Sequence, residues 1–403
     1  MIKITDKTKC CGCHSCANVC PENCISMKPD NEGFLYPDVN VTKCINCNIC
    51  EKVCPIINND PEKPVKEKAY IVNIKDDKIR EESTAGGAFS AIAQYTLDQG
   101  GVVFGATLGA GYFVYHMYVE KREDLGKFRS SKYVQSEIGK CFSKVKEFLD
   151  LGREVCFSGT PCQIEGLQHF LRKKYANLVT IDLVCRAVPS PMVWRKYIEY
   201  QQQKNQYCIE RVRFRDKCYG YKYSTMSLYM KPGCKKKDYH KGIESDVWLR
   251  AFFSGICVRP SCYECNFKKR YRTSDFTIWD CFSVGRYSKK LDDDKGTTRV
   301  IARTNKAFEM FYKFKDNINY EEINIESAFG DVKEFVTPTK MNPMRAMFFA
   351  DAVTMSSTNL FNKYFPNTVK VKTLSIGRFV AYRLGIYSIV RAAIGDIVGF
   401  RGK

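Results

Sequence analysis

The sequence predicts an α+β chain built as a small cysteine-rich module, a larger α/β domain and a helical, basic C-terminal tail. Three observations predict it. Two runs, "CCGCHSCANVCP" and "CINCNICEKVCP", crowd the first 57 residues with cysteine. From "AYIVNI" onward, apolar strand-length runs alternate with helix-length amphipathic segments, the pattern of an α/β domain with a largely parallel sheet. Residues 337–403 carry ten Lys and Arg against two Asp in an otherwise apolar segment.

The bulk properties narrow the reading. At 403 residues, two or three domains are expected, and 44% hydrophobic residues suffice for a buried core. The N-terminus lacks the apolar stretch of a secretory signal, and no uncharged run of 18 apolar residues occurs, so a cytoplasmic protein is expected. In that reducing compartment, 21 cysteines, an odd count, point to metal ligation or catalysis rather than disulfides. A net charge of +20 favours an acidic partner. The charge is spread along the whole chain with no zinc-finger, RRM or KH signature, which argues against nucleic acid.

The first module, residues 1–57, holds the strongest motif. Cys10, Cys13, Cys16 and Cys20 with Pro21, and Cys44, Cys47, Cys50 and Cys54 with Pro55, both read C-x2-C-x2-C-x3-C-P. This is the two-cluster ferredoxin spacing, in which the fourth cysteine of each run ligates the other cluster. One 4Fe–4S cluster is therefore expected on Cys10, Cys13, Cys16 and Cys54, and a second on Cys44, Cys47, Cys50 and Cys20. Structural zinc favours separated C-x2-C pairs, which these runs are not. Cys11 and Cys24 fall outside the pattern and read as plain small residues, and His14 as a solvent-facing neighbour of the cluster or one packed beside it.

A polar, proline-bearing linker over residues 58–68 precedes the domain at 69–335. There "STAGG" opens a helix predicted to end at Gly100, "GVVFGATL" is a buried strand and "SEIGKCFSKVKEFLDLG" an amphipathic helix. "REVCFSG", "PCQIEGLQHFLRKKY" and "LVTIDLVC" follow as strand, helix and strand. "SGTPCQ" sits between strand and helix, where backbone N–H groups and the helix dipole suit a phosphate. In "STAGG", Gly86 and Gly87 would let a ligand approach the backbone, although a Gly-rich helix entry is more often a simple turn. No G-x-G-x-x-G occurs, so a Rossmann-type site is not indicated. The tail, 336–403, reads as a docked helix or as an interfacial helix on an anionic membrane at its inner face.

The body also resembles a family. "STAGGAFSAIAQY", "GGVVFGA", "SSKYVQSEIG", "FSGTPCQIEGL", "IDLVCRAVPSPMVWRKY", "FRDKCYGY", "RPSCYECNFK" and "SDFTIWD" are similar, in order, to segments of the coenzyme F-420 hydrogenase/dehydrogenase beta-subunit family, over roughly residues 1–310. The resemblance implies a flavoprotein in which FAD lies between iron–sulfur clusters and an organic substrate or a deazaflavin coenzyme. The expected flavin-site residues are Ser83, Gly86, Gly87, Lys132, Ser158, Gly159 and Thr160. A third 4Fe–4S cluster is implied on Cys162, Cys185, Cys262 and Cys265, with a zinc site or buried thiols as alternatives. Where the family reads Cys-His-Gly this chain has "CRAV", so Arg186 binds an acidic substrate or is a surface salt-bridge partner. "WDCFSVG" likewise stands where the family has Gly-Asp-Phe-Trp-Gly. The implied partners are a reduced ferredoxin or similar donor and an organic substrate; the basic balance and Arg186 point to an anionic one, and the basic apolar tail to a lipid-linked one. A relay protein without a substrate of its own is the alternative, and no catalytic residue is assigned.

Overall fold

The computed structural model describes residues 1–330 and 332–387. These form two compact units, Met1–Met192 with Val258–Lys340, and Val193–Cys257 with Met341–Lys403. The body expected at 69–335 is therefore not one continuous unit, because residues 193–257 belong with the C-terminal segment.

The first unit begins with β1 (Ile25–Pro29) and β2 (Leu35–Val39), then β3 (Lys68–Ile74), β4 (Val102–Leu108), β5 (Val114–Val119), β6 (Val155–Gly159) and β7 (Leu178–Leu183). The second unit carries β8 (Ile209–Asp216), β9 (Thr225–Met230) and β10 (Tyr239–Lys241). β11 (Phe276–Asp280), β12 (Thr298–Ala302) and β13 (Ile318–Ile323) return to the first unit.

β1 and β2 form an antiparallel hairpin in the cysteine-rich module. The core of that module is Ile2, Ala17 and Ile25 together with Cys16, Cys24, Cys50 and Cys54, so sulfur takes the place of most aliphatic packing. The linker, expected over 58–68, has no helix or strand before Lys68, where β3 begins. It is nevertheless held, by Lys269 Nζ on the Asp60 carbonyl (2.9 Å), the Tyr271 N–H on Glu62 (3.0 Å) and Arg303 on Glu67 (2.8 Å).

The main sheet has eight strands in the order β13-β3-β12-β11-β7-β6-β4-β5. Only β4·β6, β6·β7 and β7·β11 are parallel; the remaining four pairs are antiparallel. The expectation of a largely parallel sheet thus holds for the centre alone. There, helices Cys141–Asp150 and Pro161–Leu171 make the crossovers that parallel strands require. Both faces are covered. Val103 and Cys156 face a core shared with helices Ala88–Asp98 and Asn305–Phe314, whereas Val102, Phe104, Val155 and Phe157 face helices Cys141–Asp150 and Pro161–Leu171. Successive strand side chains alternate between the two cores, so these strands read as unbroken apolar runs.

The second unit holds the antiparallel sheet β10-β9-β8 and helices Val247–Phe253, Arg345–Thr354, Ser357–Tyr364 and Val369–Arg383. Its core stacks Trp194 on Tyr197 (5.4 Å) and sets Trp248 edge-on to Trp194 (5.0 Å). On the last helix Val369, Ile376 and Val380, followed by Leu384, stay exposed at helical spacing, flanked by exposed Lys370, Lys372 and Arg383. The rest of the expected tail helix, residues 388–403, lies outside the described residues. No helix among the described residues is long and apolar enough to cross a membrane.

Candidate functional site

The two cysteine runs fold alike. In each, the residue after the second cysteine adopts a left-handed conformation, His14 at φ 67° and Asn48 at φ 58°, and starts a short helix that carries the third cysteine. Asn and His are among the few side chains that enter this region readily. Around Cys16 lie Cys13, Cys10 and, from the other run, Cys54 and Cys50. Cys20 crosses in the opposite sense, lining with Cys44, Cys47 and Cys50 a cavity open to solvent whose wall also includes Met1, Glu22, Cys24, Ile25 and Val39. The structure thus brings the cysteines of the two runs close together, with Cys54 near Cys16 and Cys20 near Cys44, Cys47 and Cys50. Eight thiols and no carboxylate among them form a soft donor set suited to iron–sulfur clusters.

Cys162, Cys185, Cys262 and Cys265 also come together, each within electrostatic reach of the others. Cys162 stands in the first turn of helix Pro161–Leu171, Cys185 follows β7, and Cys262 and Cys265 follow the buried Arg259. Burial pushes the Cys185 thiol up to about 12 and raises Cys262 and Cys265 as well. Thiolates here need positive charge, and Lys268 and Arg272 lie beside Cys185 and Cys265. Tetrahedral zinc draws four sulfurs to about 3.8 Å of one another, from its Zn–S distance of about 2.3 Å. Among the described residues the only three donors within 4.8 Å are Asp216, Cys218 and His240, in the other unit. The Asp216 carboxylate is meanwhile taken up by Arg213 (3.5 Å), Tyr229 and the Lys217 N–H (2.8 Å).

The first and third sets adjoin. Cys11, which sequence reasoning passes over as a plain small residue, has its thiol in hydrogen-bond reach of both Cys13 and Cys162. His14 is not solvent-facing: it is 2% exposed, its Nε2 has no partner among the described residues, and burial depresses its pKa to about 3. Cys24 is buried at the wall of the second set, its Sγ 3.3 Å from that of Cys20.

The expected flavin residues fall on converging loops. Thr84 Oγ1 and Ser131 Oγ are 3.0 Å apart and the Ser131 N–H donates to Thr84 Oγ1 (2.7 Å), tying "STAGG" to "SSK". His116, which no sequence signal marks, joins the other pair: its Nε2 is 3.1 Å from the Ser158 carbonyl oxygen, and Lys132 is its charged neighbour. Lys132 Nζ donates to the carbonyls of Lys127 (3.2 Å) and Arg129 (2.9 Å), and burial brings it down to about 7. Other expected residues have local duties. Ser83 Oγ donates to the Ile79 carbonyl. A Cβ on Gly86 would stand 2.2 Å from the Val72 carbonyl oxygen, and Gly87 has φ +85°, so packing against β3 by itself accounts for both glycines. At Gly159–Thr160 a capping box with Gln163 satisfies part of the helix start, and Thr160 Oγ1 lies 3.2 Å from Cys162 Sγ. Arg186 pairs with Glu334 at 2.8 Å, so of its two sequence readings the salt bridge is the one observed.

Residues 152–328 match the family model for the C terminus of the beta subunit of coenzyme F420 hydrogenase/dehydrogenase, and residues 9–57 match that of the 4Fe-4S dicluster domain. No curated protein sequence matches. Among solved structures, the chain is similar to one from the xenon-derivatised F420-reducing nickel–iron hydrogenase complex of Methanosarcina barkeri. The two are 16% identical over 77% of this chain and 97% of that chain, with a TM-score of 0.45.

Proposed function

We propose that this chain, an iron–sulfur electron-transfer protein that joins a 4Fe-4S dicluster domain to a coenzyme F420 hydrogenase/dehydrogenase beta-subunit domain, is a flavin-containing oxidoreductase. It takes electrons from a ferredoxin-like donor and delivers them to an organic substrate. The observation that carries this reading is the contact of Cys11 with both Cys13 and Cys162, which sets the dicluster module against the cysteines of the body.

Bound 4Fe–4S clusters would supply single-electron steps, and bound FAD would exchange two of these for a hydride. Cys10, Cys13, Cys16 and Cys54 would hold one cluster, Cys20, Cys44, Cys47 and Cys50 a second, and Cys162, Cys185, Cys262 and Cys265 a third. Lys132 and the loops at Ser83–Gly87 and Ser158–Thr160 would receive the flavin and its phosphates. Cys47 is exposed, so the second set is the one open to a donor protein, and the net charge of +20 attracts an acidic one. The deazaflavin of the family description is one candidate substrate. The basic helix Val369–Arg383, with its exposed apolar face, supports contact with an anionic membrane and so a lipid-linked substrate; liposome flotation of the full chain tests that contact.

The match to a beta-subunit family favours a second reading, a relay that needs a partner enzyme. Anaerobic purification followed by iron, sulfide and flavin analysis tests the main proposal. About twelve irons and one FAD per chain are expected; about eight irons remove the third cluster, and a colourless zinc protein overturns the reading. Oxidation of a reduced dye by candidate substrates, with and without added partner proteins, separates enzyme from relay.

A further inference from the structure

Arg259 is 0% exposed, and its charge has no carboxylate counterpart among the described residues. Its guanidinium donates to the backbone carbonyls of Cys10 (2.8 Å) and Leu35 (3.0 Å), to Gln135 Oε1 (3.4 Å) and to Cys10 Sγ (3.4 Å). It also lies 4.1 Å from the centre of the Tyr36 ring. Besides Tyr36, the groups in electrostatic reach of it include Cys10, Cys11 and Cys262, and it acts in turn on Cys162 and His14; of these its guanidinium donates to the sulfur of Cys10 alone among the described residues. An arginine keeps its charge in any protein environment, and a buried charge without a counter-charge is strongly unfavourable. Carbonyls, an amide and an aromatic face solvate the cation without neutralising it. The sulfur of Cys10, ionised when it ligates iron, would do so.

The second ligand set has no such partner among the described residues. The cavity lined by Cys20, Cys44, Cys47 and Cys50 has no Lys or Arg in its wall and includes Glu22. The N-terminal ammonium of Met1, at its wall, is in electrostatic reach of Cys50 and Cys44, but it is exposed and paired with Glu51 at 3.0 Å, so it is no buried counter-charge. Two runs of identical spacing are therefore placed in different electrostatic surroundings, one beside a buried cation and the other beside an exposed, carboxylate-paired one. Net charge and hydrogen bonds to sulfur are principal determinants of cluster potentials.

We propose that Arg259 is the built-in counter-cation of the Cys10/Cys13/Cys16/Cys54 centre and holds its reduction potential above that of the Cys20/Cys44/Cys47/Cys50 centre. The inference rests on the reading that both sets hold 4Fe–4S clusters. Arg259 acts through the ligand sulfur and is a positioning residue. Its effect is to make transfer downhill from the solvent-facing set to the one that adjoins Cys162.

The test is an anaerobic potentiometric titration of the full chain followed by electron paramagnetic resonance, on wild type, Arg259→Gln and Arg259→Lys. Wild type is expected to show two dicluster signals with separated midpoints. In R259Q the higher midpoint should fall by about 59 mV or more, a tenfold change in its one-electron equilibrium, while the lower one stays. R259K should keep the wild-type value. An unmoved midpoint in an R259Q protein with full iron content overturns the assignment, as does a shift confined to the lower midpoint. If R259Q fails to retain iron, R259K decides: a wild-type midpoint supports the charge, and a tenfold fall despite it overturns the proposal. A wild-type chain without cluster signals overturns both this assignment and the reading beneath it.

Discussion

Ser15 donates its hydroxyl to the carbonyl of Gly166 across 2.7 Å, fastening the first cluster-motif helix to helix Pro161–Leu171. The contact requires glycine. A Cβ at position 166 would lie 2.7 Å from Cys13 Cβ and 2.8 Å from Ser15 Oγ. Gly166→Ala should therefore push back a ligand segment rather than a loop. We expect a loss of about 1–3 kcal/mol in chemical denaturation, typical of overpacking, together with iron released faster to a chelator than from wild type.

The three cysteine sets should be separable by substitution. Cys185→Ser is expected to lower iron from about twelve to about eight per chain while both dicluster signals persist. Cys47→Ser should perturb the second signal and leave Cys162, Cys185, Cys262 and Cys265 loaded. Loss of all iron in the Cys185 variant would mean that the third set is needed for folding rather than for a separate cluster.

Asp246 gives the second unit a pH dependence of known sign. Its carboxyl is fully buried, and burial raises it from 3.8 to about 6 against hydrogen bonds from the Leu249 N–H (2.7 Å), Tyr197 (2.7 Å) and Tyr239 (2.9 Å). Between about pH 4 and 6 the folded chain binds a proton that the unfolded chain has released. Stability therefore falls as pH rises through that window, by up to about 3 kcal/mol, and is flat above it as far as this group is concerned. Asp246→Asn should abolish the slope. Urea midpoints read from Trp194 and Trp248 fluorescence would measure it.

Lys132 should tie flavin affinity to pH. With an ammonium brought down to about 7 by burial and only carbonyl acceptors around it, its charge is complete only below neutrality. Flavin, an anion through its phosphates, should bind more tightly at pH 6 than at pH 8 in wild type, and equally at both in Lys132→Met. Equal wild-type affinity at the two values would remove Lys132 from the flavin site.

Much of this site was legible in the sequence where the chemistry is local. Spacing in C-x2-C-x2-C-x3-C-P is fixed along the chain, so the dicluster module and the approach of Cys20 and Cys54 to the other run could be read directly. Alternating apolar runs likewise marked the central strands and helices. The glycines of "STAGG" were less legible, since Gly86 is dictated by a carbonyl of β3, a strand that the motif itself does not name. His116 gave no signal at all, because a buried histidine on a strand reads like any other strand residue.

By itself, then, the sequence determined that a dicluster module opens the chain and that an α/β body follows it, because short spacings and hydrophobic periods constrain the chain locally. Tertiary structure alone decided that Cys11 meets Cys162, that Arg259 reaches Cys10 across 249 positions, that Arg186 is taken by Glu334, and that residues 193–257 join the C-terminal segment. Each of these depends on how the sheet and its helices pack, and no local spacing encodes which distant residue will meet a buried charge or thiol.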